Sequence, residues 1–174
     1  MANERLKGPA TRWYVIAREA FADWTAPKAL EFSTALTNGL AFNITCAVNQ
    51  DGSTFDLGDP DTDDSLTFCQ VAGAVNATTL NPDIVIEVET SKVKNVVNTA
   101  NTAHRLLRWP GVEYFFMMSV GEKPDAPIAV GDIIKMASGE TDWGVPVAGT
   151  GENILLSQSP MSRGDIAWNV KITA

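Results

Sequence analysis

The sequence predicts a mainly β protein: a sandwich or barrel-like domain with one flanking α-helix, a mobile N-terminal arm and a long acidic loop. Three observations carry that prediction. Several short segments alternate apolar and polar residues with a period of two. A single segment repeats its apolar residues at spacings of three and four. Clusters of Gly, Pro, Asn and Asp punctuate the chain between them. At 174 residues the chain is long enough for one well-buried core and too short for two ordinary domains. Hydrophobic residues make up 45% and charged ones 20%, so the chain is expected to fold rather than stay disordered.

Residues 1–39 read as an irregular arm carrying one strand around Trp13-Tyr14-Val15-Ile16 and ending at Thr37-Asn38-Gly39. Residues 40–174 read as the single sandwich domain. From Leu40 the alternation places Leu40, Phe42, Ile44, Cys46 and Val48 on one face of a half-buried strand. The stretch from Asp51 to Asp64 then holds six aspartates (Asp51, Asp56, Asp59, Asp61, Asp63 and Asp64) and no Lys or Arg, an acidic loop or long hairpin. With few apolar residues of its own, this segment is expected to be ordered mainly by neighbouring subunits. Strands resume at Ser65–Val71 and at Asp83–Glu89, where Ile84, Ile86 and Val88 alternate with Val85, Glu87 and Glu89.

A helix is expected over about 92–108, because Val93, Val96, Val97, Ala100, Ala103 and Leu107 form one apolar face; Ser91 can cap it and Trp109-Pro110-Gly111 stops it. The nearly continuous apolar run Val112–Val120 predicts a strand buried on both faces, central in its sheet or at an interface. A short strand at Ile133–Ala137, a Gly-rich loop over Gly139–Gly151 containing Trp143, and strands at Asn153–Ser157 and Ile166–Ile172 complete the order. In the last of these Ile166, Trp168, Val170 and Ile172 are expected to share a face.

The formal net charge is -8, which argues against a surface that grips nucleic-acid phosphates by counterion release. No stretch approaches the roughly 18 to 20 uninterrupted apolar residues that a transmembrane helix needs, and no signal peptide is evident at the start; no membrane partner is expected. Cys46 and Cys69 lie on different predicted strands without a neighbouring His or a CxxC, and read as buried, reduced thiols. Asp59, Asp61 and Asp63 alternate as calcium ligands do, but a loop of that kind beginning at Asp59 needs Gly at its sixth position and Glu at its twelfth, where this chain has Asp64 and Gln70. His104, the one histidine, reads as an exposed helix end rather than part of a nucleophile system. No nucleotide-binding or hydrolase motif occurs, so no catalytic residue, cofactor or enzymatic activity is expected.

Three runs taken in order carry a resemblance: Asn43-Ile44-Thr45-Cys46-Ala47-Val48-Asn49-Gln50-Asp51-Gly52, then Asp61-Thr62-Asp63-Asp64-Ser65-Leu66-Thr67-Phe68, then Gly121-Glu122-Lys123-Pro124-Asp125-Ala126-Pro127. The chain resembles the major tail tube proteins of long-tailed, siphovirus-like bacteriophages, and among them those of actinobacterial phages. The resemblance spans most of residues 40–174. It implies a β-sandwich flanked by one helix, hexameric rings stacked into a tube, joined inner sheets around a channel, and the tape measure protein and tail terminator as partners. It implies assembly in the host cytoplasm, residence in the virion, and passage of DNA without specific binding. An acidic bore would keep the duplex from sticking by like-charge repulsion. Glu87 and Glu89, opposite the apolar face of their strand, are the expected lumen-facing residues; the six aspartates of the acidic segment are the expected assembly-loop residues. Alternative readings are a tail terminator, head–tail joining protein or secretion-tube subunit, and a glycan-binding sandwich with Trp143 as a stacking platform.

Overall fold

The computed structural model describes residues 11–58, 61–63, 76–79, 82–89, 99–121, 125–148 and 154–174. They form two antiparallel sheets packed face to face, with helices at the periphery. The larger sheet contains β1 (Thr11–Ala17), β2 (Ala41–Asn43), β7 (Glu113–Val120), β8 (Ile133–Glu140) and β11 (Met161–Lys171), in the order β11-β8-β7-β1-β2. The smaller contains β3 (Thr54–Leu57), β6 (Pro82–Glu89), β9 (Val145–Ala148) and β10 (Ile154–Gln158), in the order β3-β6-β10-β9. A separate hairpin pairs β4 (Asp61–Asp63) with β5 (Asn76–Thr79).

The five-stranded sheet is buried on both faces, which is why its central strands read as unbroken apolar runs. Trp13, Val15, Phe116 and Ala137 face the smaller sheet and meet Phe55, Ile84, Ile86, Val88 and Leu156. Tyr14, Ile16, Phe115, Met117, Ile134 and Met136 face the other way, into a second core closed by Phe21, Phe32, Ala35 and Ile128. β7 is central, as its sequence predicts.

The first 39 residues are not an irregular arm from Thr11 onward. β1 lies between β7 and β2, and α1 (Ala29–Thr37) covers the outer core with Phe32 and Ala35. The Lys28 N–H donates to Glu31 Oε2 at 3.3 Å at the start of α1. At its end Leu40 N–H reaches back to the Ala35 carbonyl at 2.8 Å while Gly39 takes φ +72°, the left-handed stop that glycine permits. The core therefore crosses the expected boundary at residue 40. Residues 1–10 lie outside the described set.

The strand expected from Leu40 to Val48 is cut short. β2 is followed by a 3-10 turn at Thr45–Ala47, so Ala41, Ile44 and Ala47 are buried while Cys46 is exposed. The Thr45 hydroxyl accepts the Trp13 N–H at 2.8 Å and fixes that turn against β1. The acidic segment also contains a strand of the chain's own fold: β3 pairs with β6 and buries Phe55 to 3% exposure, so Thr54–Leu57 needs no neighbouring subunit to order it.

The smaller sheet follows its predicted alternation closely, with Ile84, Ile86 and Val88 of β6 buried. The Gly-rich loop is shorter than expected, because β8 runs on to Glu140 and β9 forms within the remainder. The last strand does not keep one face. From Ala167↔Met136 to Val170↔Ile134, β11 advances three residues while β8 advances two, a one-residue bulge at which Asn169 takes φ +56°. Ile166 and Trp168 pack on the inner core and Val170 and Ile172 on the outer one.

The helix is described as α2 (Thr99–Leu107). Ala103 and Leu107 are fully buried against the inner core, and the Gln158 side chain donates to the Leu107 carbonyl at 2.7 Å, closing the helix end. The expected strand at Ser65–Val71 and the helix positions Ser91, Val93, Val96 and Val97 lie outside the described residues.

Candidate channel face and assembly edges

Charge is segregated between the two sheets. The strands of the smaller sheet carry four carboxylates, Asp56, Asp83, Glu87 and Glu89, and no Lys or Arg. The strands of the larger sheet carry Arg12, Lys135, Arg163 and Lys171 against Glu113, Glu140 and Asp165. Register sets the four acids on one surface. Phe55 faces Ile84 across β3 and β6 with both buried in the core, so Asp56 and its partner Asp83 must point outward, as must Glu87 and Glu89.

Within that surface the four are not equivalent. Glu87 is half-buried beneath the turn Asn49–Ser53: Asn49 Nδ2 donates to its Oε2 at 2.9 Å, its own N–H donates to Ser53 Oγ at 3.0 Å, and a side chain at Gly52 would collide with its carboxylate. Leu155, opposite Glu89, is buried on the same side. The acids open to solvent are Asp56, Asp83 and Glu89. Of the two expected lumen residues, Glu89 is exposed and Glu87 is engaged in holding a turn.

The acidic segment is dispersed rather than gathered. Asp51 is exposed in the turn before β3; Asp56 is on β3, 74% exposed at its side chain; Asp61 and Asp63 are on β4; Asp59 and Asp64 lie outside the described residues. Among the described residues no group of three or more His, Cys, Asp or Glu side chains is placed to hold a metal ion. Cys46 is an exposed free thiol, against the expectation of burial, because the 3-10 turn rotates it outward; Cys69 lies outside the described residues. His104 is half-buried rather than exposed, and burial, with the nearby Arg108 charge, holds its imidazole below its usual pKa.

One buried charge is absent from the sequence reading. Arg12 on β1 is 0% exposed; its Nη1 donates to the Ala126 and Pro127 carbonyls at 3.1 and 2.9 Å, and its Nη2 to Ser119 Oγ at 2.9 Å and Asp132 Oδ2 at 2.8 Å. Burial pushes the Asp132 carboxyl up, but the Ala129 N–H, the Arg12 hydrogen bond and the Arg12 charge together hold it below its usual value. The clamp ties the segment containing Ala126-Pro127 to the sheet. That segment ends one of the runs of the resemblance.

The sheet edges differ too. Among the described residues β3 and β9 bound the smaller sheet, each paired on one side only. Beside β9 stands an exposed aromatic corner. Trp109 and Trp143 are 52% and 66% exposed, meet edge to face at 6.4 Å, and carry the Arg108 guanidinium over the Trp109 ring at 4.8 Å.

No helix among the described residues is long and apolar enough to cross a membrane. A family model described as phage tail tube protein matches residues 1–173, nearly the whole chain. No curated protein matches it.

Proposed function

The chain belongs to the phage tail tube protein family, a structural family and not an enzyme class, and from that premise we propose that it polymerises as stacked hexameric rings whose smaller sheets line a channel for DNA. Membership makes it a β-rich component of the phage tail that assembles into a tube. The finer reading, a siphovirus-type major tail protein, rests on one observation above the others: the smaller sheet has only acidic charge on its strands and exposes Asp56, Asp83 and Glu89, whereas the sheet with cations is buried on both faces. A bore lined by Asp83 and Glu89 repels phosphates weakly at each site, but rings repeat the charge around and along the channel. The tape measure protein would fill that channel before DNA, and a tail terminator would cap it.

Electron microscopy of the purified chain over a concentration series tests polymerisation: rods with a central channel are expected, and single closed rings at all concentrations would favour a terminator. The channel face is tested by Asp83→Lys with Glu89→Lys. Both sites are exposed, so folding and rod formation should persist, while DNA release from particles carrying the variant slows because attraction replaces repulsion. Normal release from such particles would remove this sheet from the channel wall.

A further inference from the structure

We propose that a cleft at the β3 edge of the sandwich receives the basic, aromatic corner of a second copy of this chain. This rests on the tube reading and adds which two surfaces meet. The cleft has a volume of about 410 Å3 and opens between the sheets, with Trp13 and Met118 contributed by the larger sheet, Val48 and Phe55 from the facing side, and Asp56 and Cys46 among its lining. That volume lies in the range of pockets that take drug-sized groups, enough for an indole and part of a guanidinium.

Charge selects the occupant. Lys135, also in the cleft, is already engaged: its Nζ donates to the Phe55 carbonyl at 3.3 Å, lies 3.7 Å from Asp56 and sits over the Trp168 ring. With that cation offset by Asp56, the exposed Asp51 leaves the β3 edge acidic. At the C-terminal end of α2, Arg105 and Arg108 are exposed, lie three residues apart, and form no ion pair among the described residues. Beside them stand Trp109 and Trp143, two indoles more than half in water. One surface offers an apolar hole with an acidic rim, the other an apolar knob with basic flanks.

In one molecule the cleft opens beside β3 and the indole corner stands beside β9, the two edge strands of the smaller sheet. Between molecules they form a head-to-tail contact, in which each copy gives its corner to one neighbour and its cleft to the other; such a contact propagates or closes into a ring. The corner supplies the Trp and Arg anchors that dominate well-packed interfaces.

Mixing two variants tests the contact. Trp143→Ser with Arg108→Ser breaks the corner and leaves the cleft; Asp56→Lys breaks the cleft and leaves the corner. All three sites are solvent-facing, and thermal melts matching wild type verify folding. Each variant alone should lose self-association by roughly tenfold or more in sedimentation. Mixed in equal amounts they should form a 1:1 pair and stop there, because each retains one complementary half. Either variant assembling at wild-type concentrations overturns the contact, as does failure of the two to pair. Cys46 gives a readout without substitution: its alkylation, followed on its own peptide because Cys69 is a second thiol, should slow severalfold in wild-type assemblies, and an unchanged rate overturns the proposal. Rods formed by both variants would remove the contact and keep the tube. A wild-type chain that forms no rods, with variants that still pair, would keep the contact and remove the tube.

Discussion

The two sheets of the sandwich solve opposite problems. The larger is apolar on both faces: along β7, Phe116 and Met118 enter one core and Phe115 and Met117 the other. The smaller buries one face and leaves carboxylates on the other. A sheet covered on both sides has little surface left to offer, so most of its residues answer to packing. A sheet with one wet face can carry a charge pattern without disturbing the core, since alternate residues are independent. The larger sheet thus serves two cores, while the smaller serves one and carries an acidic pattern on its other face.

The largest expected effect breaks the larger sheet at its buried charge. Arg12→Ala strands Asp132, Ser119 and two carbonyls without their donor, and removing one partner of a buried pair typically costs about 3–5 kcal/mol. Urea unfolding should show a loss of unfolding free energy of that size, whereas Glu89→Ala on the wet face should stay within about 0.5 kcal/mol. Equal losses at the two sites would end the division of labour.

Next come the apolar faces themselves. Met117→Ala in the outer core, and Ile86→Ala and Leu107→Ala in the inner one, each truncate a fully buried side chain and should each cost about 2–5 kcal/mol. If Ile86→Ala alone proved mild, the smaller sheet would be a loosely held layer rather than half of the core. Acid should weaken the clamp as well. The folded pKa of Asp132 lies below the ordinary 3.8, so its contribution is complete above that value and is lost as pH falls through the folded value. Asp132→Asn should flatten that acid limb of the stability profile. His104, also held below its usual 6.5, should remove some stability as pH falls from 6.5 toward its folded value.

The sequence showed what period and composition can show. β6, β7 and β10 were legible because each keeps a single pattern from end to end. The misreadings fall where backbone geometry changes within a segment. From Leu40 to Val48 the apolar alternation continues through Cys46, but Thr45 bonds back to Trp13 and turns the chain after three strand residues. In β11 the alternation of Ile166 to Ile172 runs unbroken on paper, and the extra residue at Asn169 moves its second half to the other face. α1 was readable from the Phe32 and Ala35 spacing, the Glu31 three residues after Lys28, and the Asn38-Gly39 stop; nine residues were too few for the period to stand out. Glu87 and Glu89 were legible as one face, but not that a distant turn would claim only the first, because that contact is tertiary. The Arg12 clamp joins β1 to residues more than 100 positions away, and no local pattern announces such a contact.

The smallest effect sharpens the comparison most, because its sign carries the information. Asp56 and Asp83 are direct cross-strand partners with both carboxylates on the wet face. Like charges so placed destabilise a sheet. Asp56 has partial relief from Lys135 at 3.7 Å, while Asp83 has no ion-pair partner among the described residues. A face selected for stability would not keep this pair; a face selected for its field toward a passing polyanion would. Asp83→Asn keeps shape and polarity and removes the repulsion, so it should stabilise the isolated monomer by about 0.2–0.5 kcal/mol at low ionic strength. The gain should shrink above about 0.5 M salt, where the screening length falls to a few ångströms. A gain of the same size at all salt concentrations would mean that Asp83 is disfavoured for reasons other than charge. A loss would mean that the carboxylate makes a contact of its own, and the acidic face would then be a structural device rather than a surface held at a small cost to the fold.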